Sequence, residues 1–478
     1  MRNFLTIALI IFSFNSLLGQ KNLVDLPIDA TSAGFDIIPL DTAGFYAIER
    51  VGLAQSRVLV KKGFHYDKDL VLKDTFAIEM DERFSLARWT SNATGAYFLY
   101  KKTRLKNELG LMHVSPEGSV NFNSVELDND LIIQHFQLVG KNALVGGLFQ
   151  FEPAFFIYDT QQNILRTLPG FRTKGVNLLQ STVDDANGII TIVTSAIYAE
   201  TNQLTYNIKN FNFEGDLLRD VFLNPNDNKN LLSVSVSNFL NDSQFIYGAY
   251  GDEKTQGASG VYSIELLPAG TQKQSFTPFF EIENIYDHMS TNKAQRIVSQ
   301  ARKAFEKRGR WSTRERPQLY TPKLGDDHIY YALEMDMDSK ENLFQIVMNK
   351  DNQIVNTSNT AINQNSINRY TNRSPYDFVR KSNAYRILKS GVVWEFNNKF
   401  YYAYRNGDSV EAKIIDENNS KLVKKAIPKV EDVKVFRNLE EKIFPWYGNK
   451  VLVATLESRN NESRDAPRHM IVTPVTLD

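Results

Sequence analysis

A carboxylate and a histidine stand side by side at Asp327 and His328, and Tyr330 and Tyr331 follow closely. A carboxylate can orient a histidine as a general base, while a tyrosine hydroxyl can act as the acid. Asp327, His328 and Tyr330 are therefore the best candidates for catalysis. A simpler interpretation is a Gly-Asp-Asp turn with His328 as the first residue of a strand. Adjacent strand residues point to opposite faces, so this interpretation separates Asp327 from His328; we favour it and predict no catalytic residue.

The usual signatures of hydrolases and metal sites are missing from the sequence. There is no Gly-x-Ser-x-Gly nucleophile motif and no His-Glu-x-x-His zinc motif. The chain has no cysteine, which excludes a thiolate zinc site, a thiol nucleophile and a disulfide scaffold. We therefore expect neither a metal ion nor a cofactor.

The strongest functional signal is a basic cluster around one tryptophan. From Lys293 to Arg316, nine basic residues stand against only two acidic ones. The cluster ends with Trp311 among four arginines, which are Arg308, Arg310, Arg314 and Arg316. Planar guanidinium groups beside an indole ring suit an acidic protein partner, lipid head groups or an acidic glycan. The plain alternative is a solvated charged face; we predict a binding surface.

Two stretches interrupt an otherwise strand-like sequence. In the first, the insertion 281–322, apolar side chains recur at helical spacing and predict a helix over about 284–308 that ends before Gly309. The apolar side chains on its predicted face are Ala294, Ile297, Val298, Ala301, Ala304 and Phe305. The second stretch, 349–374, is rich in asparagine, which favours turns, and we predict a long exposed loop there.

The rest of the chain repeats one unit, a short polar turn followed by an apolar strand. These strands begin near residues 45, 96, 143, 189, 244, 330, 400 and 450. A strand-rich period of roughly 40–50 residues is typical of propeller blades. The sequence therefore predicts an all-β fold, a seven- or eight-bladed β-propeller forming a single domain over 20–478, with one helical insertion.

The start of the chain has the pattern of a cleavable signal peptide, residues 1–19. Arg2 precedes an apolar run from Phe4 to Leu18, and Gly19 supplies the small residue before the cut. Because no cysteine follows the run, we do not expect a lipoprotein. Because the sequence has no second long apolar run, we expect no membrane segment after cleavage. Fifty-five basic residues balance fifty-five acidic ones, which argues against a nucleic-acid partner. We expect a periplasmic or extracellular protein.

The region 280–340 resembles a family of secreted, β-propeller-like proteins of Bacteroidetes-type bacteria. In that family a basic helical insertion precedes a His-Asp turn and a strand of the pattern apolar-x-x-Glu-Ala-Tyr-Tyr. Here Asp327 and His328 reverse the pair, and Glu334-Met335-Asp336 replaces the aromatic end. The resemblance implies export and a repeated β fold, and it implies no particular activity.

Together these features predict a non-enzymatic binding or scaffold protein of the bacterial cell envelope. Its propeller surface and a projecting basic helix would engage an envelope protein or an acidic glycan. Acidic residues from distant strands can also converge in a propeller. A secreted polysaccharide hydrolase or lyase with a site in the central funnel is therefore the alternative.

Overall fold

The chain forms eight antiparallel β-sheets, which are the blades of a β-propeller. This architecture comes from a computed structural model, which describes residues 23–28, 35–51, 58–81, 83–92, 94–102, 107–150, 152–171, 176–198, 203–225, 229–240, 242–252, 257–287, 289–309, 311–312, 318–319, 323–337, 340–361, 391–428, 435, 437–458 and 468–478. The first strands of neighbouring blades contact one another around the ring. The prediction of seven or eight blades is thus confirmed, and the number is eight.

Blades 1 to 4 each contain four strands in chain order. Blade 1 consists of β2 (Phe35–Pro39), β3 (Phe45–Val51), β4 (Val58–Tyr66) and β5 (Leu72–Asp81). Blade 2 consists of β6 (Phe84–Asn92), β7 (Gly95–Lys102), β8 (Asn107–Val114) and β9 (Val120–Leu127). Blade 3 consists of β10 (Leu131–Val139), β11 (Asn142–Phe149), β12 (Glu152–Asp159) and β13 (Ile164–Thr167). Blade 4 consists of β14 (Asn177–Asp184), β15 (Ile189–Tyr198), β16 (Gln203–Asn212) and β17 (Leu217–Phe222).

In blades 5 and 6 the first strand is split into two short pieces. Blade 5 consists of β18 (Lys229–Leu231), β19 (Ser235–Leu240), β20 (Ser243–Asp252), β21 (Gly260–Leu266) and β22 (Gln272–Pro278). Blade 6 consists of β23 (Gln318–Leu319), β24 (Lys323–Leu324), β25 (His328–Met337), β26 (Lys340–Asn349) and β27 (Ile354–Ala361). In each blade both pieces of the first strand pair with the second strand, so the arrangement of a four-stranded blade is kept.

Blade 8 joins the two ends of the described chain. Blade 7 consists of β28 (Gly391–Phe396), β29 (Lys399–Asn406), β30 (Ser409–Ile415) and β31 (Ser420–Ala426). Blade 8 consists of β32 (Arg437–Pro445), β33 (Lys450–Ser458), β34 (Arg468–Thr476) and the N-terminal β1 (Val24–Ile28). Strand β1 pairs antiparallel with β34, from Val24 opposite Val472 to Ile28 opposite Arg468. This pairing supplies the outermost strand of blade 8 and closes the ring.

Every strand that carries the sequence repeat is the second strand of its blade. These strands are β3, β7, β11, β15, β20, β25, β29 and β33. The second strand lies between two others and is covered on both faces by neighbouring blades, which explains its long apolar runs. Because strands alternate in direction, the polar turns before these strands all lie at the same rim of the propeller.

The core lies between the faces of adjacent blades. Between blades 5 and 6, the fully buried ring of Tyr247 stacks on Tyr331 with centroids 4.9 Å apart. Residues of both blades complete this cluster, including Phe245, Val261, Leu333 and Phe344, and we call it the 5/6 core. Stability therefore comes from apolar area distributed around the ring.

The predicted helix is present as α1 (Thr291–Arg308), between blades 5 and 6. It ends as expected at Gly309, which adopts the left-handed conformation with φ of 65° and bonds back to the Phe305 carbonyl at 2.7 Å. The helix begins seven residues later than predicted, because Ile282–Asp287 forms turns. Two short 3₁₀ segments, Asp41–Ala43 and Phe279–Glu281, complete the described helical structure.

The predicted asparagine-rich loop is wrong in its first part. Strand β27 pairs with β26 as the outermost strand of blade 6. Asn356 Nδ2 donates to the Asp416 carbonyl at 2.8 Å, and Asn359 Nδ2 donates to the Ile285 carbonyl at 2.9 Å. An outermost strand tolerates asparagine because its side chains can bond neighbouring backbone. The remainder of the predicted loop, 362–374, lies outside the described residues.

Among the residues that the structure describes, no helix combines the length and apolar character of a membrane span. The predicted signal peptide lies outside these residues.

Candidate functional site

Helix α1 lies against the propeller on its apolar face. Ala294, Ile297 and Val298 pack on the 5/6 core, and Ala301 is fully buried. The prediction that this helix projects from the scaffold is therefore wrong. The apolar stripe, whose spacing predicted the helix, also gives it a surface to bury, and a helix gains most of its stability in this way.

Aromatic rings fasten the C-terminal end of α1 to the segment that precedes it. The Phe280 ring is 5.5 Å from Phe305 and 6.3 Å from Trp311, both in edge-on geometry. Phe280 is only 7% exposed, and Trp311 is half-buried against the 5/6 core. Trp311 thus contributes to the docking of α1, and only the remaining part of its ring can face a partner.

The opposite face of α1 is basic and exposed. Its exposed cations are Arg296, Arg302, Lys303, Lys307 and Arg308. Within the described part of the chain, none of the five side chains makes an ion pair or a hydrogen bond. Glu306, also exposed, is the helix's single carboxylate. A positively charged surface is therefore held in fixed position by the apolar face beneath it.

All five predicted binding residues end or follow the helix. Arg308 is exposed in the last turn, where a cation interacts favourably with the helix dipole. Arg310, Arg314 and Arg316 lie outside the described residues, so their grouping around Trp311 stays a prediction.

An open groove of about 540 Å³ runs between α1 and the segment Ile282–Asp287. Its floor is mostly aliphatic, and its rim carries amide, hydroxyl and charged groups. The lining side chains of α1 are Ala294, Gln295, Val298, Ser299, Arg302, Lys303 and Glu306. The sequence did not reveal this groove, because its second wall forms only when Ile282–Asp287 folds back beside the helix.

The three catalytic candidates do not assemble. Asp327 Oδ1 pairs with Lys350 Nζ at 2.5 Å, and the lysine holds the pKa of that exposed carboxyl below its usual range. His328 Nε2 lies 3.4 Å from Glu417 Oε2 in blade 7. Tyr330 Oη donates to the Asn398 carbonyl at 2.6 Å, and burial raises its pKa well above the ordinary value. The prediction of a turn followed by a strand, in which adjacent side chains point to opposite faces, thus agrees with the separation of the three side chains.

Around this turn, polar contacts connect blade 6 to blade 7. Asn398 Nδ2 donates to Asp326 Oδ2 at 2.8 Å, and the Asn398 N–H donates to Glu395 Oε1 at 2.9 Å. Burial raises the pKa of Glu395, and burial lowers the pKa of Lys323 nearby. Sequence reasoning missed these partners, because Glu395 and Asn398 are about seventy positions away from the turn.

No metal site is evident in the described ranges, where no three histidine, aspartate or glutamate side chains are grouped closely enough to bind an ion.

Comparison with family models and with curated proteins finds no match. Among solved structures, the chain is similar to the β-propeller domain of the Trilobed protease from Pyrococcus furiosus, at 10% identity and TM-score 0.41, covering 83% of this chain and 96% of that chain. It is similar to the Pyrococcus horikoshii acylaminoacyl peptidase, at 9% identity and TM-score 0.42, covering 83% of this chain and 52% of that chain. It is also similar to the polysaccharide lyase Uly1, at 9% identity and TM-score 0.37, covering 93% and 90%. Likeness at this level transfers neither an activity nor a site to this protein.

Proposed function

We propose that this protein is a non-enzymatic binding scaffold of the bacterial cell envelope, and that α1 presents its surface for an acidic protein or glycan. The signal-peptide pattern of residues 1–19 supports a periplasmic or extracellular location. The alternative is a secreted hydrolase or lyase, which stays a prediction from sequence. The candidates Asp327, His328 and Tyr330 do not support it, because each contacts a different partner.

The observation that carries this proposal is the fixed, unneutralised charge on α1. Arg296, Lys303 and Lys307 follow one another at i, i+7 and i+11, so they form an outer stripe on one side of the helix. By contrast, the exposed cation Lys73 already pairs with Asp67, and the half-buried Lys350 pairs with Asp327. A partner that brings its own carboxylates or sulfates therefore gains contacts at α1 that the chain itself does not supply.

The test reverses the two stripe charges that do not line the groove. We expect the double variant Arg296→Glu/Lys307→Glu to bind immobilised alginate and polyglutamate about tenfold more weakly than the wild type, equivalent to about 1.4 kcal/mol. Thermal stability should change by no more than about 0.5 kcal/mol, because both side chains are exposed. Raising the salt concentration should weaken wild-type binding, since exposed charges are screened beyond roughly 8 Å at physiological ionic strength.

The matched control is Lys141→Glu/Lys399→Glu, which changes the net charge equally at two exposed turns of the propeller rim. This control should retain wild-type binding. If both double variants lose the same affinity, binding reflects overall charge and the proposal is wrong. Unchanged retention of the α1 variant on both surfaces would also overturn it.

A further inference from the structure

The groove beside α1 has a direction. Phe280 contacts Phe305 near the end of the helix, whereas Asp287 lies only a few residues before Thr291 at its start. The segment 282–287 therefore runs antiparallel to α1 and forms the second wall. The lining residues of α1 extend from Ala294 to Glu306, which is about 18 Å at 1.5 Å per residue. An extended peptide of about five residues has this length.

The groove has an aliphatic floor and a polar rim. Ile282, Ile285 and Val298 supply the floor, while Asn284, Gln295 and Ser299 supply donors and acceptors at the edges. This pattern suits a peptide in extended form, whose side chains alternate between floor and solvent while its backbone meets the rim. The lining includes one aromatic ring, Tyr286, which is only 5% exposed. A sugar ring would consequently have no open aromatic face to stack on.

Charge is concentrated at one end of the groove. Arg302 and Lys303 lie there with Glu306, leaving one positive charge in excess. At the other end, Asp287 interacts with Lys413 of blade 7. Its charge opposes the burial that lowers the pKa of this lysine. The groove therefore offers an acidic side chain a site at the Arg302 end, whereas its other end carries the carboxylate of Asp287.

From this arrangement we infer that the groove binds a short, extended peptide segment that carries aliphatic side chains and a carboxylate. This site overlaps the outer stripe only at Lys303, since Arg296 and Lys307 do not line the groove. It shares with the proposed function only the premise that α1 is a binding element.

The absence of cysteine allows a direct test, because a single introduced thiol is unique in the chain. Ser299→Cys places the thiol in the groove, whereas Gln300→Cys places it on the neighbouring exposed position outside the lining. The probe is the capped peptide Leu-Glu-Leu-Glu-Leu. We expect it to slow maleimide labelling of the Ser299→Cys thiol about tenfold and that of the Gln300→Cys thiol by less than about twofold.

A second measurement identifies the charged end. Fluorescence anisotropy should show that Arg302→Gln weakens binding of the labelled peptide about tenfold, since a charge-assisted contact is lost. Lys141→Gln, which removes one positive charge at an exposed turn of the propeller rim outside the groove, should leave peptide affinity unchanged.

Two results would overturn the inference. One is equal labelling of the Ser299→Cys thiol with and without peptide at about 1 mM, the weak limit of specific affinity. The other is equal protection by a guluronate tetramer, which would assign the groove to a glycan. The proposed function is judged separately: unaltered retention of Arg296→Glu/Lys307→Glu on both alginate and polyglutamate would refute the outer stripe and leave the groove result standing.

Discussion

The turn before β25 and helix α1 lie on two sides of blade 6, and they differ in whether their charged groups have partners. At the turn before β25, Asp327 pairs with Lys350, His328 lies beside Glu417, and Tyr330 bonds to a backbone carbonyl. Across the 5/6 core, the exposed cations of α1 have no partner among the described residues. Acidic, histidine and tyrosine residues that lie close together in the sequence are thus a weak guide to function when neighbouring loops supply their ion-pair or hydrogen-bond partners.

The difference has a structural origin. The turn before β25 lies at the rim, where hairpins of adjacent blades meet: Lys350 belongs to the β26–β27 turn and Glu417 to the β30–β31 turn. Helix α1 has only one packed face, so no described blade approaches its basic side. At this turn the neighbouring blades supply partners for the charged groups, whereas the exposed cations on α1 are open to an outside partner.

The largest effect should come from removing the ring that holds α1 in place. Phe280→Ala deletes the contacts with Phe305 and Trp311 and leaves a cavity at a site that is 7% exposed. We expect a loss of about 3–5 kcal/mol in the free energy of unfolding, measured by urea denaturation. Phe222→Ala, at a ring that is 55% exposed, should cost less than about 1 kcal/mol. Similar losses for both variants would show that α1 is not anchored through Phe280.

An intermediate effect on stability should distinguish two buried tyrosines of β25, one whose hydroxyl has a hydrogen-bond partner and one whose hydroxyl has none. Tyr330 and Tyr331 are adjacent and buried, but only the hydroxyl of Tyr330 has a hydrogen-bond partner among the described residues. Tyr330→Phe leaves the Asn398 carbonyl unpaired and should cost about 1–2 kcal/mol. Tyr331→Phe removes a buried hydroxyl without a partner and should be neutral or stabilising. Equal costs in urea denaturation would contradict the contrast between the two sides of blade 6.

The smallest effect concerns pH. Burial raises the pKa of Glu395 in the folded protein, so its favourable contribution is present below the pKa of the unfolded chain and declines as pH rises through the folded value. Glu395→Gln keeps the acceptor for the Asn398 N–H and removes this decline. Relative to the wild type, the variant should gain stability as pH rises above about 4, the pKa of a glutamate in the unfolded chain, by less than about 1 kcal/mol because the carboxyl is partly exposed. Parallel melting-temperature profiles would show that burial does not perturb this carboxyl.

The repeating part of the fold was predictable, because second strands such as β11 and β29 must be apolar on both faces and so give a periodic signal. The helix was predictable from the spacing of Ala294, Ile297 and Ala301. Its docking was not, since the surface that receives it is assembled from two blades. Strand β27 was missed because asparagines such as Asn356 bond to backbone far away in sequence. The groove was also missed, because its second wall is the segment 282–287, and no local sequence pattern shows that this segment lies beside α1.

Closure of the ring by β1 has a consequence for folding. Val24 pairs with Val472, and His469 Nδ1 lies 2.8 Å from Asp25 Oδ1, so contacts between opposite ends of the chain complete blade 8. Trp446 Nε1 donates to the Gly44 carbonyl at 2.9 Å across the same junction. Contacts with such long sequence separation form slowly, because the entropy of closing the loop must be overcome first. We therefore expect seven blades to form from local hairpins and blade 8, which needs strands from distant parts of the chain, to form last.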